Sequence, residues 1–313
     1  MLAPISAAPT LRDRYRGTLL GLAVGNTLGL PVEAWPREAI QERYPKGVRD
    51  IDPMELDLPW DDDLAQAVII AEAILEHDTL GCDDLARRLL EWMESNGRGM
   101  GSQTRAVLSL LRLGKLPSEA ARIVWEENDG SPAGNGAVMR CAPVAMRWRS
   151  DLRRLRVETE NSSRVTHHDP RCEWSAFAVN LAIAMALNGQ IPSIESIAAL
   201  MEGAQVSPQT VSAVRVVAGR DLDDLALCGR TMGYTLKAMQ VGLWCLERGV
   251  DFEETLVSVI RAGGDTDTNG AVAGAVLGAL HGAGSIPSRW TAGVPQAERL
   301  IQIADRLLER AEA

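Results

Sequence analysis

Apolar side chains recur at helical spacing along almost the whole chain. Between Asp62 and Glu76, Ala65, Val68 and Leu75 follow this spacing, and residues three or four apart share one face of a helix. Similar spacing predicts helices at Leu85–Met93, Val107–Leu111, Ala137–Trp148, Cys172–Asn188, Ile194–Glu202, Met232–Glu247, Phe252–Arg261 and Gln296–Ala311. No alternating strand pattern and no β–α–β spacing stands out. The sequence therefore predicts an all-α, compact multi-helix bundle, and we expect a single domain over residues 1–313.

Two apolar stretches, Gly17–Val32 and Gly270–Gly284, carry a glycine at every fourth position. These glycines are Gly17, Gly21, Gly25 and Gly29 in the first stretch and Gly270, Gly274, Gly278 and Gly282 in the second. A glycine inside a helix costs about 1 kcal/mol relative to alanine, but it lets another backbone approach closely. We predict that both stretches are central helices that pack on each other. The loop after Gly29, which carries Glu33, would then reach the same end of the bundle as Asp265.

Composition and charge narrow the partners and the compartment. The formal net charge is −10, so the basic surface that nucleic acid requires is not expected. Both glycine-rich stretches are shorter than the ~20 residues of a membrane span, and we expect no membrane partner. No secretory signal is evident. The sequence contains no CxxC motif, and we expect the cysteines to be buried, reduced thiols of a cytoplasmic protein. The five are Cys82, Cys141, Cys172, Cys228 and Cys245. We also expect a monomer or weak oligomer.

Two acidic clusters stand far apart in the chain, each at the start of an apolar run. One is the segment 60–63 (Trp-Asp-Asp-Asp), and the other is the segment 263–269 (Gly-Gly-Asp-Thr-Asp-Thr-Asn). Carboxylates this close repel one another unless a cation lies between them. Oxygen ligands without neighbouring His or Cys suit Mg²⁺ or Mn²⁺ better than zinc. Capping of a helix N-terminus also uses Asp, but one Asp would satisfy it. We predict one site, built from both segments, for one or two divalent cations.

Several segments, in the same order, give the chain a specific resemblance to the ADP-ribosylglycohydrolase family. They are Arg16–Gly21, Gly25–Glu33, Trp60–Asp63, Gly134–Arg140, Thr166–Pro170, Gly263–Thr268 and Ile286–Trp290. The resemblance implies an all-α fold with a cleft that holds two divalent cations, Mg²⁺ or Mn²⁺. It also implies that the ions bind the ribose hydroxyls of an ADP-ribosyl group while water cleaves the glycosidic bond.

The resemblance also assigns expected roles to individual residues. Those that match family metal ligands are Asp62, Asp265, Asp267 and Thr268, and Asp63 matches an acidic residue at or beside the metal. Asp61 stands where the family has a threonine ligand and is a further candidate metal ligand. The catalytic candidates are Glu33 and Asp63. Those that match the ADP-ribose side of the cleft are Gly99, Gly101, Ser102, Gly134, Asn135, Gly136, and His167 or His168. Taken alone, Glu33 is also typical of an exposed loop, Gly-Asn-Gly of a turn, and a histidine of a structural hydrogen bond.

Two departures from the family pattern leave the function open. The family's Thr-Asp-Asp-Thr is Asp61-Asp62-Asp63-Leu64 here, and its Gly-Asp-Ala-Leu-Gly is Gly25–Gly29 with Asn26 in place of the acid. Asp61 can bind a cation, repel an anionic diphosphate or hold a proton, and the amide at Asn26 offsets it only if the two are close. The leading interpretation is a hydrolase acting on an ADP-ribosylated protein side chain or a small ADP-ribose derivative. The alternatives are an ADP-ribose- or metal-binding relative with altered turnover and, last, a purely structural protein.

Overall fold

The computed structural model describes residues 8–131 and 133–313. Within these residues the chain is helical, and the one β-type contact is an isolated bridge between Gly134 and Tyr234. The α-helices are α1 (Leu11–Gly29), α2 (Arg37–Arg43), α3 (Asp62–His77), α4 (Cys82–Ser95), α5 (Ser102–Arg112), α6 (Pro117–Glu126), α7 (Gly136–Met139), α8 (Ala142–Trp148), α9 (Leu152–Arg164), α10 (Pro170–Leu187), α11 (Ile194–Gly203), α12 (Pro208–Arg215), α13 (Thr235–Arg248), α14 (Phe252–Arg261), α15 (Thr266–His281), α16 (Ser288–Thr291) and α17 (Ala297–Glu312). Short 3₁₀ helices span Leu30–Val32, Pro53–Asp57, Leu222–Leu225 and Ala283–Ser285. The all-α prediction is confirmed.

Helices α1 and α15 form an antiparallel pair in backbone contact at the centre of the fold. A Cβ atom built on Gly274 would lie 1.9 Å from the carbonyl oxygen of Gly21, and one on Gly270 would lie 2.2 Å from that of Gly25. Gly278 meets Gly17 in the same way. The predicted close packing of the two glycine-rich stretches is therefore confirmed. One detail differs, because Gly282 follows the end of α15 with a φ of +76° and is not part of the helix face.

The rest of the bundle surrounds this pair. Helices α10, α13 and α14 pack against α15, whereas α17 packs against α1. All residues of α15 from Thr266 to Leu280 are buried, and α10 is buried along most of its length. At the site end, the Thr266 hydroxyl donates a 2.8 Å hydrogen bond to the carbonyl of Gly29. The last turn of α1 and the first turn of α15 are thus fixed side by side.

Some predicted helix boundaries are wrong for identifiable reasons. The single helix predicted over Ala137–Trp148 is two helices, α7 and α8, because Pro143 has no N–H with which to continue the ladder. The helix predicted from Met232 begins only at Thr235, since Tyr234 is extended and bridges Gly134. Helix α9 was not predicted because polar groups such as Glu158 and Ser162 lie on its buried face. The other helices not predicted are α2, α6, α12 and α16.

The cysteines and the apolar helices conform in part to expectation. All five cysteines are free thiols. Cys141, Cys172 and Cys245 are buried as predicted, but Cys228 is half-buried and Cys82 is exposed, so the expectation of burial is wrong for these two. Among the residues described, no helix is both long enough and apolar enough to cross a membrane.

Candidate metal centre and cleft

The two acidic clusters meet at the N-terminal ends of α3 and α15. Asp61 precedes α3, and Asp62 and Asp63 lie in its first turn. Asp265 precedes α15, and Asp267 lies in its first turn. Carboxylate oxygens of Asp61, Asp63 and Asp267 lie within 4.8 Å of one another. The predicted convergence of the two segments is therefore found in the structure.

A second group of carboxylates shares Asp267 with the first. Oxygens of Glu33, Asp265 and Asp267 also lie within 4.8 Å of one another. Asp267 thus stands between a buried group and a group that opens towards solvent. The arrangement offers two adjacent places for a cation, with one carboxylate common to both.

Burial and mutual repulsion make the cluster unfavourable without positive charge. Burial, followed by the charges of Asp61 and Asp265, raises the pKa of Asp62 to about 8. Burial and neighbouring carboxylates also raise the pKa values of Asp63 and Asp267 well above the usual range. One carboxylate oxygen (Oδ1) of each of these two residues is buried without a hydrogen-bond partner in the described part of the chain. Buried carboxylate oxygens without hydrogen-bond partners fit a hard divalent cation.

Thr268 supports the buried side of the cluster. Its hydroxyl donates a 3.3 Å hydrogen bond to Oδ2 of Asp63, which leaves the hydroxyl oxygen free to act as a ligand. Neither carboxylate group described above includes a histidine or a cysteine. The donors are therefore all oxygens, a set that suits a hard divalent cation.

Two of the residues that depart from the family pattern, Asn26 and Asp61, are in contact with each other. Nδ2 of Asn26 lies 3.5 Å from Oδ2 of Asp61, at the limit of a hydrogen bond. Nε of Arg98 lies 3.9 Å from Oδ1 of Asp61, and the same guanidinium donates to Glu55. The amide of Asn26 can offset the extra carboxylate of Asp61 only if the two are close, and the structure shows that they are. The carboxylate gained at position 61 and the carboxylate lost at position 26 therefore belong to the same small region of the site.

A loop that follows α1 brings Glu33 over the cluster. The backbone N–H of Ala34 donates to the carbonyl of Gly264 at 2.8 Å, and that of Gly264 donates to the carbonyl of Trp35 at 3.0 Å. This reciprocal pair fixes the loop to the turn that precedes Asp265. Partial burial, followed by the charges of Asp265 and Asp61, raises the pKa of Glu33. A carboxyl group with a raised pKa exchanges protons closer to neutral pH.

Asp62, Asp265 and Asp267 form the floor of a cleft of about 470 Å³, a size typical of small-molecule sites. The lining residues are Glu33, Asp62, Gly99, Gly101, Ser102, Gln103, Thr104, Gly134, Asn135, Gly136, Met139, His167, Met232, Gly233, Asp265, Asp267 and Thr268. Glycines at 134 and 136 keep the wall thin, since a Cβ atom on Gly136 would lie 2.7 Å from the His167 ring. Asn135 donates to Oδ2 of Asp265 at 2.8 Å and so ties this wall to the floor.

Most predicted site residues lie at this cleft, but three lie elsewhere. Asp61 and Asp63 are buried behind the cleft and do not line it, so Glu33 is the predicted catalytic carboxylate that is open to a ligand. His167 lines the cleft, whereas His168 lies with its ring centroid 5.4 Å from that of Trp125. The structure therefore distinguishes the two histidines, which the sequence left as alternatives.

Five lining residues were not predicted from the sequence. They are Gln103, Thr104, Met139, Met232 and Gly233. Gln103 directly follows the predicted Gly101-Ser102 and accepts from the backbone N–H of Gly134 at 3.2 Å. Its position next to a predicted loop was the one available signal. Met232 and Gly233 belong to a turn with no acidic or glycine-rich motif to mark it.

Comparison with known proteins defines the class. A model of the ADP-ribosylglycohydrolase family matches residues 7–313, and this chain belongs to that family. A solved structure titled ADP-ribosylglycohydrolase-related protein complex superposes with a TM-score of 0.75 at 29% identity, over 96% of this chain and 99% of the other.

Curated relatives match over nearly the whole chain. An uncharacterized protein of Archaeoglobus fulgidus is 31% identical, covering 96% of this chain and 97% of the relative. The ADP-ribosylarginine hydrolase Tri1 of Pseudomonas putida is 27% identical, over 96% of this chain and 79% of that protein. The ADP-ribosyl-[dinitrogen reductase] glycohydrolase of Rhodospirillum rubrum is 26% identical, over 90% of each.

Proposed function

We propose that this protein is a divalent-cation-dependent hydrolase that cleaves the glycosidic bond between ADP-ribose and an acceptor group. The observation that carries the proposal is the convergence of both acidic clusters and Glu33 on the floor of one cleft. Membership of the ADP-ribosylglycohydrolase family supports the choice of ADP-ribose as the group bound there. A relative named ADP-ribosylarginine hydrolase makes ADP-ribosyl-arginine the first acceptor to test.

The residues divide into those that hold cations and those that hold the ligand. Asp62, Asp265, Asp267 and Thr268 would hold two ions, Mg²⁺ or Mn²⁺, with Asp63 and Asp61 supporting them from the buried side. When bound, such ions orient ribose hydroxyls and stabilise negative charge on oxygen. The wall formed by Gly99, Gly101, Ser102 and the loop 134–136 would approach the diphosphate through backbone N–H groups.

Glu33 is the group that we expect to move a proton. Its carboxyl lies within 4.8 Å of oxygens of Asp265 and Asp267, at the edge of the cluster where the cleft opens. There it can accept a proton from the attacking water and stabilise positive charge that develops at the anomeric carbon. Its raised pKa suits a group that must take up a proton and release it again.

Release of free ADP-ribose tests the proposal. Peptides carrying ADP-ribosyl-arginine or ADP-ribosyl-serine are incubated with the protein in Mg²⁺, in Mn²⁺ and in chelator, and ADP-ribose is measured by chromatography. We expect release from at least one acceptor with metal and none with chelator. Asp267→Asn should abolish release, whereas Asp50→Asn, at a side chain that is 87% exposed, should not change it. Binding of ADP-ribose without release from either acceptor would support the non-hydrolytic alternative instead.

A further inference from the structure

Arg140 is a buried cation without a carboxylate within hydrogen-bond reach in the described part of the chain. Its guanidinium donates to the side-chain oxygen of Gln66, to the carbonyl of Ser162 at 3.0 Å and to the hydroxyl oxygen of Thr166 at 2.7 Å. The residue is fully buried, and burial lowers its pKa to about 10, so it remains charged at neutral pH. A charge buried at this cost requires an explanation beyond packing.

The hydroxyl of Thr166 lies between Arg140 and His167 and determines which ring nitrogen of His167 carries the proton. An arginine can only donate, so the Thr166 oxygen accepts from Arg140, and its own hydrogen remains to be placed. The second partner of the hydroxyl is Nδ1 of His167, at 2.8 Å. If Nδ1 carried the ring proton, the buried hydroxyl hydrogen would have no acceptor among the described residues. The Thr166 hydroxyl therefore donates to Nδ1 of His167, and Nε2 carries the ring proton, because only this arrangement leaves no buried hydrogen without an acceptor.

Nε2 of His167 lies at the glycine wall of the cleft. A Cβ atom on Gly136 would come within 3.0 Å of Nε2, and one on Gly134 within 3.4 Å. Burial and the charge of Arg140 hold the pKa of His167 at about 3, so the ring is neutral at physiological pH. Within the described part of the chain, Nε2 has no hydrogen-bond partner of its own, and His167 lines the cleft.

We propose that Arg140 and Thr166 are positioning residues that hold His167 in the Nε2–H tautomer, so that the cleft contains a fixed, neutral N–H donor for an oxygen of the ligand. The identity of that oxygen, as part of ADP-ribose, rests on the proposed function. A neutral donor recognises a phosphate or hydroxyl oxygen without adding charge beside the metal cluster. Its tautomer is set inside the protein and requires no ligand.

Nitrogen NMR on the ligand-free protein tests the tautomer directly. Long-range ¹H–¹⁵N correlations distinguish protonated from unprotonated ring nitrogens, and His167→Gln assigns the signal among the four histidines. We expect Nδ1 to be unprotonated and Nε2 protonated. Thr166→Val should give a mixture of tautomers, whereas Thr166→Ser, which retains the hydroxyl, should keep the wild-type pattern. A ring proton on Nδ1 in the wild type, or an unchanged pattern in Thr166→Val, overturns the proposal.

Calorimetry with ADP-ribose and with ADP, at one fixed Mn²⁺ concentration, tests the donor role. Thr166→Val should weaken binding about 10-fold, the effect of losing one hydrogen bond to a charged group, and Thr166→Ser should not. A loss for both ligands places the acceptor in the ADP part that they share, and a loss for ADP-ribose alone assigns it to the distal ribose. Equal affinity of Thr166→Val and wild type refutes the donor role. If neither the wild type nor any variant binds ADP-ribose but the NMR pattern is as expected, the proposed function fails and the tautomer assignment stands.

Discussion

Replacing Gly274 by alanine should destabilise the protein although alanine is the better helix former. The new Cβ atom would lie 1.9 Å from the carbonyl oxygen of Gly21, and 3.0 Å is the closest approach that real Cβ atoms show. Helices α1 and α15 must therefore separate by about 1.1 Å, and the clashing atom belongs to a backbone that has no alternative rotamer. Overpacking costs about 1–3 kcal/mol, and the gain in helix propensity is at most about 1 kcal/mol. We expect a net loss of about 2 kcal/mol, since a backbone clash falls at the upper end of this range.

Urea unfolding measured in chelator, by far-UV circular dichroism, determines the free energy of unfolding without a metal contribution. Gly203→Ala is the matched control, because nothing lies within 4 Å of its Cβ position at the end of α11. The control should unfold at the wild-type urea concentration or slightly above it. An equal midpoint for Gly274→Ala and wild type would refute the view that backbone contact between α1 and α15 requires glycine.

The same glycine series separates stability from metal binding. Gly270 lies one turn from Thr266 at the site end of α15, whereas Gly278 lies at the far end. Both substitutions to alanine create backbone clashes, with Gly25 and Gly17 respectively. We expect both to lower stability, but only Gly270→Ala to lower Mn²⁺ affinity, by about 10-fold, as is typical when groups that orient ligands are displaced. Equal Mn²⁺ affinities in the two variants, measured by calorimetry, would contradict the link between this helix pair and the site.

Three further outcomes follow from the site. Glu33→Gln should lower turnover about 10²–10⁴-fold, as expected for loss of a general acid–base group, with Mn²⁺ affinity nearly unchanged; unchanged turnover in the peptide assay would remove Glu33 from catalysis. Asn26→Asp and Asp61→Thr should each alter Mn²⁺ affinity, and the double variant should return towards wild type with a coupling of about 1 kcal/mol, because the side chains touch; additive effects in calorimetry would contradict this. The folded His167 has a pKa of about 3 and an unfolded histidine about 6.5, so the folded state binds fewer protons and stability falls as pH drops below about 6.5. Between pH 6.5 and 5, wild type should therefore lose about 1.6 kcal/mol more than His167→Gln, because the slope reaches about 1.4 kcal/mol per pH unit only once the unfolded histidine is fully protonated. Parallel urea-derived profiles of the two proteins would show that the ring is not held neutral.

The sequence predicts the centre of the fold better than the wall of the cleft. A glycine at every fourth position has one economical explanation, close backbone contact, and this located both α1 and α15. Dense carboxylates similarly indicated a shared cation site, because repulsion makes such clusters unstable alone. These sequence patterns do not predict the direction in which each side chain points. Asp62 lines the cleft while its neighbours Asp61 and Asp63 do not, and that difference depends on how α3 is rotated in the bundle.

The opposite wall carries weaker signals in the sequence. Met232 and Gly233 reach the cleft because the extended Tyr234 bridges Gly134, a contact about one hundred residues away in sequence. His167 and His168 are adjacent in the chain, and only the tertiary structure places one at the cleft and the other against Trp125. No local pattern contains this information, since the choice is made by packing between distant segments.

The reciprocal backbone hydrogen bonds between Ala34, Gly264 and Trp35 have a consequence for how the cleft tolerates substitution. They join the segment that carries Glu33, which follows α1, to the turn that precedes Asp265 and α15. The floor of the cleft is therefore attached directly to the α1–α15 pair. The facing wall, with Gln103 and the turn at Met232, comes from other elements of the chain. Substitutions on this wall can therefore change the shape of the cleft without displacing the backbone that carries Glu33 and Asp265.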